Sequence, residues 1–340
     1  MSVAASMGRS VPKRVVALLA FLLPLQGCYY VQAAQGHLKL MNAREPIETV
    51  VADVETPDAV RERLQVVSKA RQFAIEKLGL PDNGSYTSYV DLGRDYVVVN
   101  VFAAPEFSLA PKCWCHPFLG CMAYRGYYAA DAATDYAARL ARAGWDTTTS
   151  KVRAYSTLGR FRDPVLSTMI AGSEDATVSL VFHELAHQVL YVRGDTAFNE
   201  SFASFVASEG LRRWRAQDGR QAPASLVQRR AALREAIARL RVSLTAVYDG
   251  ELTENEKRTR KAALFEAFAT EWTALGGRLP APHNNAALAP IALYADRTAG
   301  FAGLLRESEG DLERFYAAVK VMGKLEKPAR DARLDALAAD

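Results

Sequence analysis

Apolar side chains recur along this chain in two rhythms, one helical and one of strands. From Val60 through Leu64, Val67, Ala74 and Leu78 they fall three to seven residues apart along one face. That is a helix, with Thr56 placed to cap it, Pro57 at its first position and Gly79 to stop it. DYVVVNVF, residues 95–102, is a short β-branched and aromatic run, the pattern of a buried strand, and it leads into Ala103-Ala104-Pro105-Glu106. The helical rhythm returns from Ala129 to Ala143 and ends at Gly144, and a second strand is predicted through Lys151 to Tyr155. Beyond Trp214 the pattern is nearly all helical. Leu226, Leu233, Leu240 and Val247 recur every seven residues with Ile237 and Leu244 between them, and Leu264, Phe268 and Trp272 form a later stripe. The order predicts an α+β chain. A small mixed sheet precedes one buried helix around residues 181–190, and a mostly helical C-terminal part follows.

The first residues read as a processing segment. Arg9, Lys13 and Arg14 precede an apolar run from Val15 to Leu25 too short to span a bilayer, and Leu25-Gln26-Gly27-Cys28 closes it as a lipobox-like end. Lipid on Cys28 is expected to hold the mature protein to a membrane. No Asp follows Cys28 to signal inner-membrane retention, so the expected place is the outer membrane facing the periplasm. Residues 1–27 are thus read as signal peptide, 28–55 as tether, 56–215 as catalytic region and 216–340 as a helical region packed on it. Losing three basic residues lowers the formal charge of +4 by three, which leaves no electrostatic case for nucleic acid. Arg229, Arg230, Arg239 and Arg241 read as solvated helix surface. With 50% apolar residues the chain can bury a sizeable core.

One stretch carries chemistry. In VFHELAHQVLYVRGDTAFNESFASF, residues 181–205, His183 and His187 project from one helical face, and Glu184 follows the first histidine. Two imidazoles at that spacing can share one zinc ion, and a catalytic zinc takes three protein ligands and leaves a position open. Asp195, Glu200 and Glu209 are the candidates for the third. Glu200 is preferred, because a ligand in the first turn of a following antiparallel helix faces back toward the histidines, whereas Glu209 would be carried past them. No histidine occurs between His187 and His283, which excludes sites that need a third histidine six residues after the second. His283 reads as a loop residue outside the site. Val181, Phe182, Leu185, Ala186, Val189 and Leu190 surround the polar triplet, as suits a buried helix with one polar stripe toward a cleft. The expected chemistry is hydrolysis of a peptide substrate. The metal activates water and polarises the carbonyl, while Glu184 takes the water proton and passes it to the leaving amine. Tyr155 and Tyr191 are candidates to donate a hydrogen bond to the developing oxyanion.

HELAH followed by FNESFASF resembles the gluzincin peptidases. Together with the lipobox, YTSYVDLGRDYVVVNVFAAPEFSL, WCHPFLGCMAYRGYY and AYSTLG, it resembles more closely the bacterial putative aminopeptidase family of predicted lipoproteins, over most of residues 20–215. The resemblance implies a zincin-like catalytic unit, one zinc on His183, His187 and Glu200, and aminopeptidase activity. It also implies an acidic anchor for the substrate's α-ammonium just after a strand, a place that Glu106 occupies. Only twelve residues separate His187 from Glu200, fewer than in thermolysin or aminopeptidase N. Besides Cys28 the cysteines are Cys113, Cys115 and Cys121. Cys113 and Cys115 are too close for easy pairing, whereas Cys115 and Cys121 close a small loop and are the two that match the family segment, so a disulfide between them is expected. Two other readings share these residues: a zinc endopeptidase with an open cleft, and an envelope assembly or chaperone factor with little peptidase activity.

Overall fold

The computed structural model of the chain describes residues 29–116, 120–277, 279, 281–295 and 297–339, so the signal segment and Cys28 lie outside the described residues. The chain divides into two compact units, residues 1–43 and 44–340. Of the first, residues 29–42 form a helix, α1.

The second unit begins earlier than the tether boundary expected at residue 55. β1 (Glu45–Pro46) pairs antiparallel with β2 (Ser88–Val90), which pairs in parallel with β8 (Val165–Leu166). α2 (Ile47–Ala52) follows β1 directly and packs on α3 (Asp58–Leu78). Pro57 is the N-cap residue of α3, which has no side-chain cap, and left-handed Gly79 ends it. A second sheet sets β3 (Val98–Pro105) between β6 (Arg125–Tyr127) and β7 (Trp145–Val152), all antiparallel. α4 (Ala130–Arg142) and α10 (Asn285–Ala295) both pack on β3 and β7. This accounts for the unbroken burial from Val99 to Ala104, since a strand covered on both faces shows no alternation. β4 (Trp114–His116) and β5 (Gly120–Met122) make a separate hairpin closed by a Cys115–Cys121 disulfide, and Cys113 is a free, exposed thiol.

The centre of the molecule is a helix pair, α6 (Glu174–Ala186) against α7 (Thr196–Gln217), with α3 packed behind α6. Phe182 is fully buried between Phe73 of α3 and Trp214 of α7, with ring centroids 5.8 and 6.5 Å away. The helices meet at Gly210. A methyl carbon there would stand 2.7 Å from Leu78 and 2.8 Å from Phe182, so only glycine permits this approach. At the far end Arg215 of α7 donates to Asp175 in the first turn of α6 at 2.5 and 3.0 Å.

Among its described residues, the regular elements of the C-terminal part are all helices. α8 (Ala224–Asp249) and α9 (Glu254–Ala274) form a hairpin opened by a Thr253/Glu256 capping box, and Leu240, Leu244, Val247, Phe265, Phe268 and Trp272 make its core. α11 (Thr298–Glu307), α12 (Leu312–Met322) and α13 (Lys327–Ala339) follow α10. Phe301, Phe315 and Tyr316 from α11 and α12 meet Phe198, Phe202 and Phe205 of α7 in one aromatic cluster.

Candidate metal centre

α6 starts at Ser173, whose hydroxyl accepts from the Ala176 amide, and ends as soon as it has presented its second histidine. His187 is the C-cap residue, still in helical conformation, with its amide on His183 O at 3.3 Å. The one-turn relation between the imidazoles therefore holds, and the chain is free to turn at once. This is how a connector of residues 188–195 suffices. α7 restarts at Asp195, which accepts from the Phe198 amide at 3.2 Å, and Glu200 lies just after its first turn. Asn199 pins the connector to α7, with Nδ2 on Val192 O and Oδ1 on Val192 N, both at 2.8 Å.

The result is a compact donor triangle. His183 Nε2 and His187 Nε2 are 3.2 Å apart, and Glu200 Oε2 is 3.3 Å from the first and 3.7 Å from the second. A tetrahedral ion with bonds of about 2.0–2.1 Å spaces its donors about 3.3–3.4 Å apart, so the triangle already has the dimensions such an ion requires. Among the described residues this is the group of histidine, cysteine and acidic side chains placed to hold a metal. Glu200 Oε2 is buried without a hydrogen bond, a costly state for a carboxylate oxygen that a cation would relieve. His187 Nδ1 is also buried without a partner, so packing rather than a second hydrogen bond orients that ring.

The electrostatics follow from burial and proximity. Burial opposes ionisation of Glu200, but the two imidazoles outweigh it and hold the carboxyl well below its ordinary range. Burial likewise opposes a charged His187, yet Glu200 and then Glu184 raise its pKa. Glu184 is 8% exposed, and burial raises its pKa against the lowering effect of both histidines. A raised carboxyl beside a metal site is suited to receiving a proton.

Asp195, the rejected ligand, is engaged elsewhere: it caps α7 and accepts from Arg330 of α13. Glu209 is bound to Arg212 and Arg213 on its own helix. Tyr191 lies in the connector, its pKa raised by burial and then by Glu200, which places its hydroxyl within electrostatic reach of the triangle. Tyr155 lies beside Tyr128, ring centroids 6.1 Å apart and planes tilted by 58°, and feels Asp163 rather than the triangle. Glu106 is not a free carboxylate. Arg258 of α9 holds both its oxygens, at 2.7 and 3.0 Å, and depresses its pKa, so its charge is already matched. His283 borders a groove along α9 with Phe265 and Thr273 and is not part of the triangle.

Sequence reasoning missed a polar cluster behind Glu184. Tyr86 is 1% exposed, sits in the left-handed region at φ 62°, and has a hydroxyl without a hydrogen-bond partner. Asp163 is fully buried and accepts from the Thr157 amide at 2.8 Å. Burial is the main cause that pushes its pKa up to about 6, with a contribution from Glu184. Tyr86 N donates to Asp163 O at 2.6 Å, and Gln188, next after His187, bonds Asn83 and Ser85. Two loops, 81–87 and 156–163, are thereby knitted to the C-terminal end of α6. Nothing local in the sequence couples residues 81–87 to Glu184, about a hundred residues further on.

A family model described as putative aminopeptidase matches residues 28–334. No curated protein and no solved structure matches the chain.

Proposed function

We infer, from the premise that the chain belongs to the putative aminopeptidase family, that it is a zinc-dependent peptidase of gluzincin type acting at the periplasmic face of a bacterial envelope membrane. The observation that carries the reading is the His183–His187–Glu200 triangle, with His187 and Glu200 buried and Glu184 one residue from its first member. Two imidazoles and one carboxylate are the donor set of catalytic zinc rather than of magnesium or calcium, which take oxygen ligands. Zinc bound there would supply a Lewis acid for the scissile carbonyl and a water of lowered pKa.

The chain's own groups do the rest. Glu184 takes the proton of the attacking water and delivers it to the leaving amine, a role its raised pKa favours. Tyr191, in reach of Glu200, donates to the oxyanion as charge develops. Asp163 and Tyr86, both buried, lie within electrostatic reach of Glu184. Anchorage is through lipid on Cys28, the reading that the lipobox-like end Leu25-Gln26-Gly27-Cys28 supports.

Free-amine substrates are proposed from the family, and the endopeptidase alternative has one observation in its favour. The Arg258 clamp leaves Glu106 no spare charge for a substrate ammonium. The deciding experiment measures bound zinc and turnover on paired peptides, free and N-acetylated, for the wild type and Glu184→Gln. One zinc per chain, loss of turnover of about 10²–10⁴-fold in the variant with zinc retained, and preference for free amines are expected. A wild type that binds no zinc, or a fully active variant, overturns the reading. Equal cleavage of both peptides makes the enzyme an endopeptidase.

A further inference from the structure

The third donor, Glu200, is held from a distance. α13 lies against α11 at a very close crossing: a methyl carbon at Gly300 would stand 2.5 Å from Leu334 O, and one at Gly303 only 2.1 Å from Leu337 O. That contact fixes the position of α13 and with it Arg330, which is 4% exposed. Arg330 reaches back 135 residues to Asp195, itself 4% exposed, placing Nη2 at 2.6 Å and Nε at 3.2 Å from the same carboxylate oxygen, Oδ2. Its Nη1 donates to Leu325 O at 2.7 Å, and its guanidinium lies 5.1 Å from the centroid of the Phe198 ring. Lys327, one turn earlier on α13, adds a second cation 3.6 Å from Asp195 Oδ2.

Asp195 divides its two oxygens. Oδ1 caps α7 through the Phe198 amide, and Oδ2 receives Arg330. The capped turn contains Asn199, which pins Val192 of the connector, and Glu200 follows it. Any rotation or fraying of this first turn moves Glu200 Oε2 relative to two histidines whose own positions are set independently by α6. A charged buried acid that has lost its partner is expensive, so the pair resists such movement more strongly than a neutral cap would.

We propose that Arg330 and Asp195 form a positioning pair for the metal centre, through which the C-terminal helix α13 sets the placement of Glu200 and hence the affinity for the ion. This rests on the zinc reading above. Arg330 does not touch the metal donors. Its effect is transmitted through the helix cap, as for outer-layer groups around metal sites, whose loss typically weakens binding 10–100-fold.

The test measures zinc affinity of the full chain by competition with a chromophoric chelator, alongside urea unfolding of the metal-free protein. The variants are Arg330→Met, Asp195→Asn and Leu240→Ala. Asparagine keeps the cap but not the ion pair, and Leu240 is a buried residue of the α8–α9 core, with no part in the Asp195 contact or in the α11–α13 crossing. Expected is a zinc dissociation constant about 10–100-fold larger in Arg330→Met and Asp195→Asn. Leu240→Ala should lose folding stability yet keep the wild-type constant. Wild-type affinity in folded Asp195→Asn overturns the proposal even if Arg330→Met does not fold. So does an affinity loss that merely follows stability across all three variants. Absence of zinc binding by the wild type would instead strike the zinc reading itself, and the proposal with it.

Discussion

Asp163 offers a quantitative test of the electrostatics behind Glu184. It is fully buried, and its ordinary carboxyl pKa of 3.8 is pushed up to about 6, burial outweighing the Thr157 amide that stabilises the anion. The sign is as follows. A folded pKa above the unfolded one means that the native state holds the proton more tightly. The stability this confers is present in full below about pH 4 and is lost as pH rises through about 6. A displacement from 3.8 to about 6 corresponds to about 3 kcal/mol. Asp163→Asn replaces the carboxyl by a neutral group of equal size that still accepts from Thr157, so it removes the pH-dependent cost and little else. Urea unfolding of the metal-free protein, in chelator, at about pH 4 and pH 8 isolates the effect as the change between the two pH values in the difference between variant and wild type. The variant should be close to wild type at the lower pH and gain up to about 3 kcal/mol on it at the higher. A difference that does not vary with pH, or a wild type favoured at pH 8, would show that the anion is stabilised in place and would refute the argument.

Two further outcomes are expected. Gly303→Ala places a methyl carbon 2.1 Å from Leu337 O, so α13 must shift; about 1–3 kcal/mol of stability should be lost in urea unfolding, and zinc affinity should fall with it because Arg330 is displaced. Mass spectrometry of the mature protein should find Cys28 as the N-terminal residue carrying lipid, and an unmodified Cys28 would remove the membrane anchor from the reading.

The α6 histidines, Glu184 and the helical stripes at 60–78 and 226–272 were legible because each is a local periodicity, and helix geometry alone puts residues four apart on one face. The strand at 98–105 was legible through its β-branched run, though expected at 95–102. The strand expected at 151–155 overlaps β7 (Trp145–Val152) only at residues 151 and 152, because pairing with β3 rather than local pattern sets where β7 begins. The two-residue strands β1 and β8 were not, since so short an element exists only by pairing with a partner distant in sequence.

Composition and spacing alone narrowed the third ligand to three acids and favoured one. What separates them physically is where each carboxylate ends up. Asp195 is consumed by a helix cap and by Arg330, and Glu209 by two neighbouring arginines, while Glu200 alone is left buried and unbonded between the imidazoles. Glu106 was a plausible anchor in sequence because it follows a strand, and only the fold brought Arg258 to it across 152 residues. Tyr86 and Asp163 carried no signal at all. The sequence by itself determined which residues could meet a metal, because that depends on the pitch of one helix. The tertiary structure decided which acid joins the two histidines, which are neutralised elsewhere and what lies near Glu184, because burial and charge pairing arise from segments that share no local pattern.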